Sequence, residues 1–95
     1  MLNQDFRDML SELSDANAEF LLVGAHAVAY HGAPRATGDL DVWIRADPAN
    51  ADRVMQALRN FGAPMERISR DDLTREDMII QLGVVPRRID FITSL

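Results

Sequence analysis

The chain has no cysteine and no lysine. Without cysteine, neither a disulfide framework nor a thiolate metal centre is possible. Without lysine, every lysine-based mechanism is excluded, a P-loop lysine included, and all ten basic residues are arginine. No apolar run is long enough to span a membrane. The N-terminal "MLNQDFRDML" lacks the basic and apolar segments of a secretory signal, so a cytoplasmic location is the expectation. Positive charge is also scarce. Fifteen Asp and Glu leave a net charge of −5 and a pI of about 4.8. Such a balance argues against a sequence-independent nucleic-acid binder, which carries a basic footprint. It leaves a nucleotide open as a ligand, because a metal ion supplies positive charge locally.

What is present is one small domain of 95 residues, 47% hydrophobic and 26% charged. A chain of this size buries a core with a thin stability margin. Residues 3–16 have the periodicity of an amphipathic helix, with Phe6, Met9, Leu10 and Leu13 on one face and Asp5, Asp8, Glu12 and Asp15 on the other. "AEFLLVG" reads as a buried strand ending in Gly, and "AHAVAYHG" as a short helix closed by Gly32. "APRATG" is a loop and "DLDVWI" a second strand. "ADPANADRVMQALRNFG" is the clearest helix. Asp47 suits its N-cap, Pro48 its first position and Gly62 its stop; Ala51, Val54, Met55 and Leu58 line one face. "APMERISRDDLTRED" is polar and irregular, with a short edge strand expected at Met65–Ile68 and a solvated acidic run at Asp71, Asp72, Glu76 and Asp77. "MIIQLG" and "RIDFIT" read as strands joined by a turn at "VVPR". The expected class is α/β (α+β), a small mixed sheet with helices packed against it. The chain ends just after its last strand, which reads either as a fragment or as a protein completed by a partner or by self-association.

The chemistry concentrates in "RATGDLDVWI". On a strand, Leu40, Val42 and Ile44 share one face, and Asp39, Asp41 and Trp43 the other. Two carboxylates roughly 6 Å apart repel by on the order of 3 kcal/mol at an effective dielectric near 20. Solvation or a cation relieves that repulsion, and Mg²⁺ prefers carboxylate oxygens shared with substrate phosphates. A third carboxylate, Asp90, shares a strand face with Arg88 and Ile92, while Ile89 and Phe91 face the other way. If the two strands are neighbours, three carboxylates converge. Gly24 in "LLVGAHA" joins a strand to a helix, and helix N-terminal amides attract phosphate.

Val23-Gly24-Ala25, Asp39-Leu40-Asp41 and the later Asp90 together resemble the signature of the nucleotidyltransferase superfamily with the DNA-polymerase-β-like fold. More narrowly, "FLLVGAHAVAYHGAPRATGDLDVWI" and "QLGVVPRRIDFITSL" look like the bacterial abortive-infection, AbiEii toxin-like nucleotidyltransferases and their relatives. The resemblance covers residues 18–95. It implies one domain, 1–95, that transfers a nucleoside monophosphate from a nucleoside triphosphate such as ATP to a hydroxyl of a protein, RNA or small molecule. It implies that Gly24 and the Ala25 amide hold the triphosphate tail. It implies that Asp39 and Asp41 bind two Mg²⁺ (or Mn²⁺) ions, and that Asp90 binds one of these and helps deprotonate the acceptor. A role in a toxin–antitoxin or phage-defence system comes with the same resemblance. Two features depart from the family. Ala25 stands where many members have Ser, and the chain ends before the helical region usually found after the third Asp.

Around the motif, Arg35 is a candidate phosphate contact and Thr37 a loop-orienting residue, against the plain reading of both as loop surface. His26 and His31 on the short helix read as structural. Trp43 either borders a base pocket or packs under the adjoining helix. Arg87 and Arg88 flank the last strand, where one is expected to form a weak surface pair with a carboxylate. The reading from a different class is a catalytically weak module that keeps the fold and acts through a protein partner. The enzyme reading predicts a functional divalent metal at Asp39 and Asp41; the module reading predicts none.

Overall fold

A computed structural model describes residues 4–23, 40–83 and 88–94. Among these, two helices and four strands run in the order α1 (Gln4–Asp15), β1 (Phe20–Val23), β2 (Leu40–Ile44), α2 (Pro48–Phe61), β3 (Ile79–Leu82) and β4 (Ile89–Ile92). Two 3₁₀ turns, Met65–Arg67 and Asp71–Thr74, lie between α2 and β3. The strands form one mixed sheet in the order β1-β2-β4-β3. β2 and β4 are parallel at its centre, and each edge strand is antiparallel to its neighbour. The expected short helix at "AHAVAYHG", the loop "APRATG" and the turn "VVPR" lie outside the described residues.

The two faces of the sheet differ in chemistry because side chains alternate along each strand. One face carries Leu40, Val42, Ile44, Ile89 and Phe91, all buried. Against it pack Phe6, Met9 and Leu13 of α1 and Ala51, Val54, Ala57 and Leu58 of α2. Leu73, from the second 3₁₀ turn, joins this core. On the opposite face, strand register aligns Leu21, Trp43, Ile92 and Ile79 in one row. Leu21 is 54% exposed and Ile79 61% exposed, at the two edges of that row. Trp43 thus lies on the face away from α1 and α2.

Two expectations are corrected here. "AEFLLVG" is not a buried strand. Among the described residues β1 lies at the edge of the sheet, with Phe20 and Leu22 turned toward the core and Leu21 toward solvent. Met65–Ile68 is not an edge strand either. Arg67 N donates to Pro64 O and Ile68 N to Met65 O, so these backbone groups close turns rather than a ladder. Both apolar residues serve the core, Ile68 as a buried member and Met65 as a partly buried neighbour.

α2 begins and ends as its sequence dictates. Asp47 is extended, and its Oδ1 accepts from Asn50 N at 2.8 Å. Pro48 has no N–H to satisfy at the first position. Gly62 takes φ 95°, and its N–H reaches the carbonyls of Leu58 and Arg59. Asn50, only 1% exposed, ties this helix start to the entrance of β1. Its Oδ1 accepts from Glu19 N at 2.7 Å, and its Nδ2 donates to Glu19 O at 3.1 Å and Arg45 O at 2.9 Å.

Farther along α2, Asp52 anchors the segment before the second 3₁₀ turn. Arg70 Nε donates to Asp52 Oδ1, and its Nη2 donates to Asp52 Oδ2 at 3.4 Å and to Pro48 O at 3.3 Å. The hydrogen bond from Arg70 holds the Asp52 carboxyl below the usual carboxylate range; desolvation opposes this, and the guanidinium charge adds to it. A carboxylate depressed in the folded state stabilises above its unfolded pKa, and that contribution is lost as pH falls through the folded value. Asp52→Asn is therefore expected to lower the urea midpoint at pH 7, with the gap to wild type closing below about pH 4. Paired urea titrations across that range check it, and the gap should also narrow in high salt because both groups are exposed.

Candidate functional site

Asp41 and Asp90 are register partners in the parallel pair of β2 and β4. Their side chains project from the same face of the sheet, away from the core, on strands about 4.8 Å apart. A backbone bond from Leu40 N to Arg88 O, 3.0 Å, fixes the entrance of both strands. The sheet row through the pair is Val23, Asp41, Asp90 and Gln81. The apolar alternation that buries Leu40, Val42, Ile89 and Phe91 is what turns both carboxylates outward.

Burial distinguishes the two acids. Asp41 is half-buried, whereas Asp90 is only 8% exposed. A buried carboxylate requires compensation. Arg88, two residues earlier on the same strand face, supplies it. Its Nε lies 3.0 Å from Asp90 Oδ1, and its Nη2 donates to Oδ2 at 3.4 Å. The Nε–Oδ1 contact is ionic and lacks hydrogen-bond alignment, so Oδ1 retains acceptor capacity inside the protein. Arg88 does pair with a carboxylate, as expected, but the pair is not at the surface, because both side chains are less than one-third exposed.

The structure thus brings together Asp41, Asp90 and Arg88. Asp39, Gly24, Ala25, Arg35 and Thr37 lie outside the described residues, as do His26, His31 and Arg87. The residues that border those segments, Val23, Leu40, Gly83 and Arg88, lie at the end of the sheet that carries the two acids. Among the described residues, no group of three or more His, Asp or Glu is placed to hold a metal ion. Asp41 and Asp90 are two members of the expected three. Their hard oxygen donors, with a buried Oδ1 able to accept more, fit Mg²⁺ or Mn²⁺.

No family model, curated protein or solved structure matches this chain. Among the described residues, no helix is long and apolar enough to cross a membrane.

Sequence reasoning did not single out Asn50. Its signal is a polar residue at the start of the apolar face formed by Ala51, Val54 and Leu58, a pattern shared with many ordinary helix starts. Arg88 was visible through its two-residue spacing from Asp90, but its depth was not.

Proposed function

We propose that this chain is a metal-dependent nucleotidyltransferase domain of the DNA-polymerase-β-like kind. The observation that supports this reading is the pairing of Asp41 with Asp90 on adjacent parallel strands, on the face opposite the helices. Two acids brought together from distant stretches, on strands whose other sides are fully apolar, match what the motif requires. Asp39, Asp41 and Asp90 would hold two Mg²⁺ or Mn²⁺ ions, with Gly24, Ala25, Arg35 and Thr37 toward the triphosphate. When bound, the metals neutralise phosphate charge and lower the pKa of the attacking hydroxyl. The acceptor oxygen bonds to the α-phosphorus, the bond to the bridging oxygen breaks, and pyrophosphate leaves. Asp90 would help deprotonate the acceptor hydroxyl. The acceptor is a hydroxyl of a protein, RNA or small molecule, and a toxin–antitoxin or phage-defence setting fits the same reading.

Thermal unfolding with each nucleoside triphosphate, with and without Mg²⁺, tests it. A ligand at 100 times its dissociation constant adds about 2.7 kcal/mol. In a domain this small that raises Tm by roughly 10–20 °C. The shift should require Mg²⁺ and disappear in Asp41→Asn and in Asp90→Asn. No shift with any triphosphate would remove the transferase reading of this chain and leave the partner-binding module.

A further inference from the structure

We propose that Arg88 is the resident counter-cation of the carboxylate pair, occupying Asp90 until a divalent cation displaces it. The inference rests on the reading of Asp41 and Asp90 as metal ligands and states how their site is regulated. The geometry carries it. The guanidinium spans both oxygens of Asp90, with Nε 3.0 Å from Oδ1 and Nη2 3.4 Å from Oδ2. Those are the oxygens a metal would use. Asp90 is nearly sealed from water, so one of two cations must accompany its charge there. Asp41, the register partner, adds a second negative charge on the same face. A metal and the guanidinium repel each other at such range. Binding one therefore weakens the hold of the other.

The consequence is a site that is stable when empty and reluctant to load. Arg88 offsets the repulsion between the two acids in the absence of metal. Once displaced, its guanidinium remains on the carboxylate face as a positive group suited to a phosphate, because Arg presents a planar fork of donors to such oxygens. Metal would then enter most readily together with a triphosphate, which gives Arg88 a new anionic partner. Mg²⁺ or Mn²⁺ alone would bind weakly.

The test uses Mn²⁺ itself as the probe, with wild type, Arg88→Gln, Arg88→Lys and the double variant Arg88→Gln/Asp90→Asn. Arg88→Gln is expected to unfold at lower temperature in chelator and to bind Mn²⁺ about tenfold more tightly than wild type, read by calorimetry or Mn²⁺ electron paramagnetic resonance. Its Tm should rise more with Mn²⁺ than that of wild type. Arg88→Lys should fall between the two, and it provides a folded comparison if Arg88→Gln is too unstable for titration. Asp90→Asn should abolish the gain in the double variant. Equal or weaker Mn²⁺ binding in Arg88→Gln overturns the proposal. If wild type answers to triphosphate with Mg²⁺ while Arg88 variants leave Mn²⁺ affinity unchanged, the counter-cation role fails and the transferase reading stands. If Arg88→Gln gains Mn²⁺ affinity while neither protein answers to any triphosphate, the counter-cation role holds and the transferase reading fails.

Discussion

Replacing Asn50 by Leu is expected to destabilise the domain by about 3–4 kcal/mol, although Leu keeps the same branched skeleton. Three backbone groups lose a partner, but not equally. Arg45 O also accepts from Asp47 N at 3.1 Å, and Glu19 O from Arg45 N at 3.3 Å. Those two carbonyls keep one bond each. For Glu19 N, Asn50 Oδ1 is the partner among the described residues. One orphaned donor costs about 1–3 kcal/mol and each lost bond about 1 kcal/mol. Asn50→Asp separates hydrogen bonding from shape. It keeps the acceptor for Glu19 N but sets a carboxylate oxygen against two carbonyls in a dry place. Asn50→Asp should be at least as damaging as Asn50→Leu at pH 7, and mild acid should partly relieve it. Urea unfolding at two pH values measures both. Equal stability of wild type and Asn50→Leu would refute the clamp.

Phe91→Ala is the second large effect expected, about 3–5 kcal/mol. Phe91 is fully buried on β4, between Val42 and Ile80 in the sheet row. Total stability of a domain of this kind is about 5–15 kcal/mol, so the variant should be partly unfolded at physiological temperature. Ile79→Ser is the control. Ile79 lies on the opposite face, mostly exposed, and its loss should fall within about 0.5 kcal/mol. Circular dichroism melts compare the two. Because Phe91 directly follows Asp90, a cavity beneath β4 should also impair the carboxylate pair before global unfolding. Milder truncation, Phe91→Leu, is expected to weaken any Mg²⁺-dependent triphosphate response more than its Tm loss accounts for.

Local signals in the sequence carried much of this fold. Asp47, Pro48 and Gly62 mark the ends of α2 because each satisfies a specific backbone requirement. The alternation from Leu40 to Ile44 fixes which way Asp41 faces. Local signals failed where the answer depends on a neighbour. β1 is apolar throughout, and nothing within Phe20–Val23 says that Leu21 is left more than half exposed. Met65 and Ile68 look like strand residues until Pro64 and the turn bonds around them are seen. For the candidate site, the facing of both acids was legible, but their exact pairing was not. Register between β2 and β4 places Val42 beside Phe91 and Leu40 beside Ile89, and that alignment is a property of the assembled sheet.

The parallel pairing of β2 with β4 also orders events during synthesis. Asp41 leaves the ribosome early, and Asp90 only after α2, both 3₁₀ turns and β3 have been made. Non-local strand pairing is slow because the closure of the intervening chain precedes its reward. The nascent chain thus carries an acidic strand with no Arg88 and no Asp90 beside it until translation is nearly past the last strand. The carboxylate pair is therefore absent from every shorter intermediate, and it forms only when β4 docks beside β2.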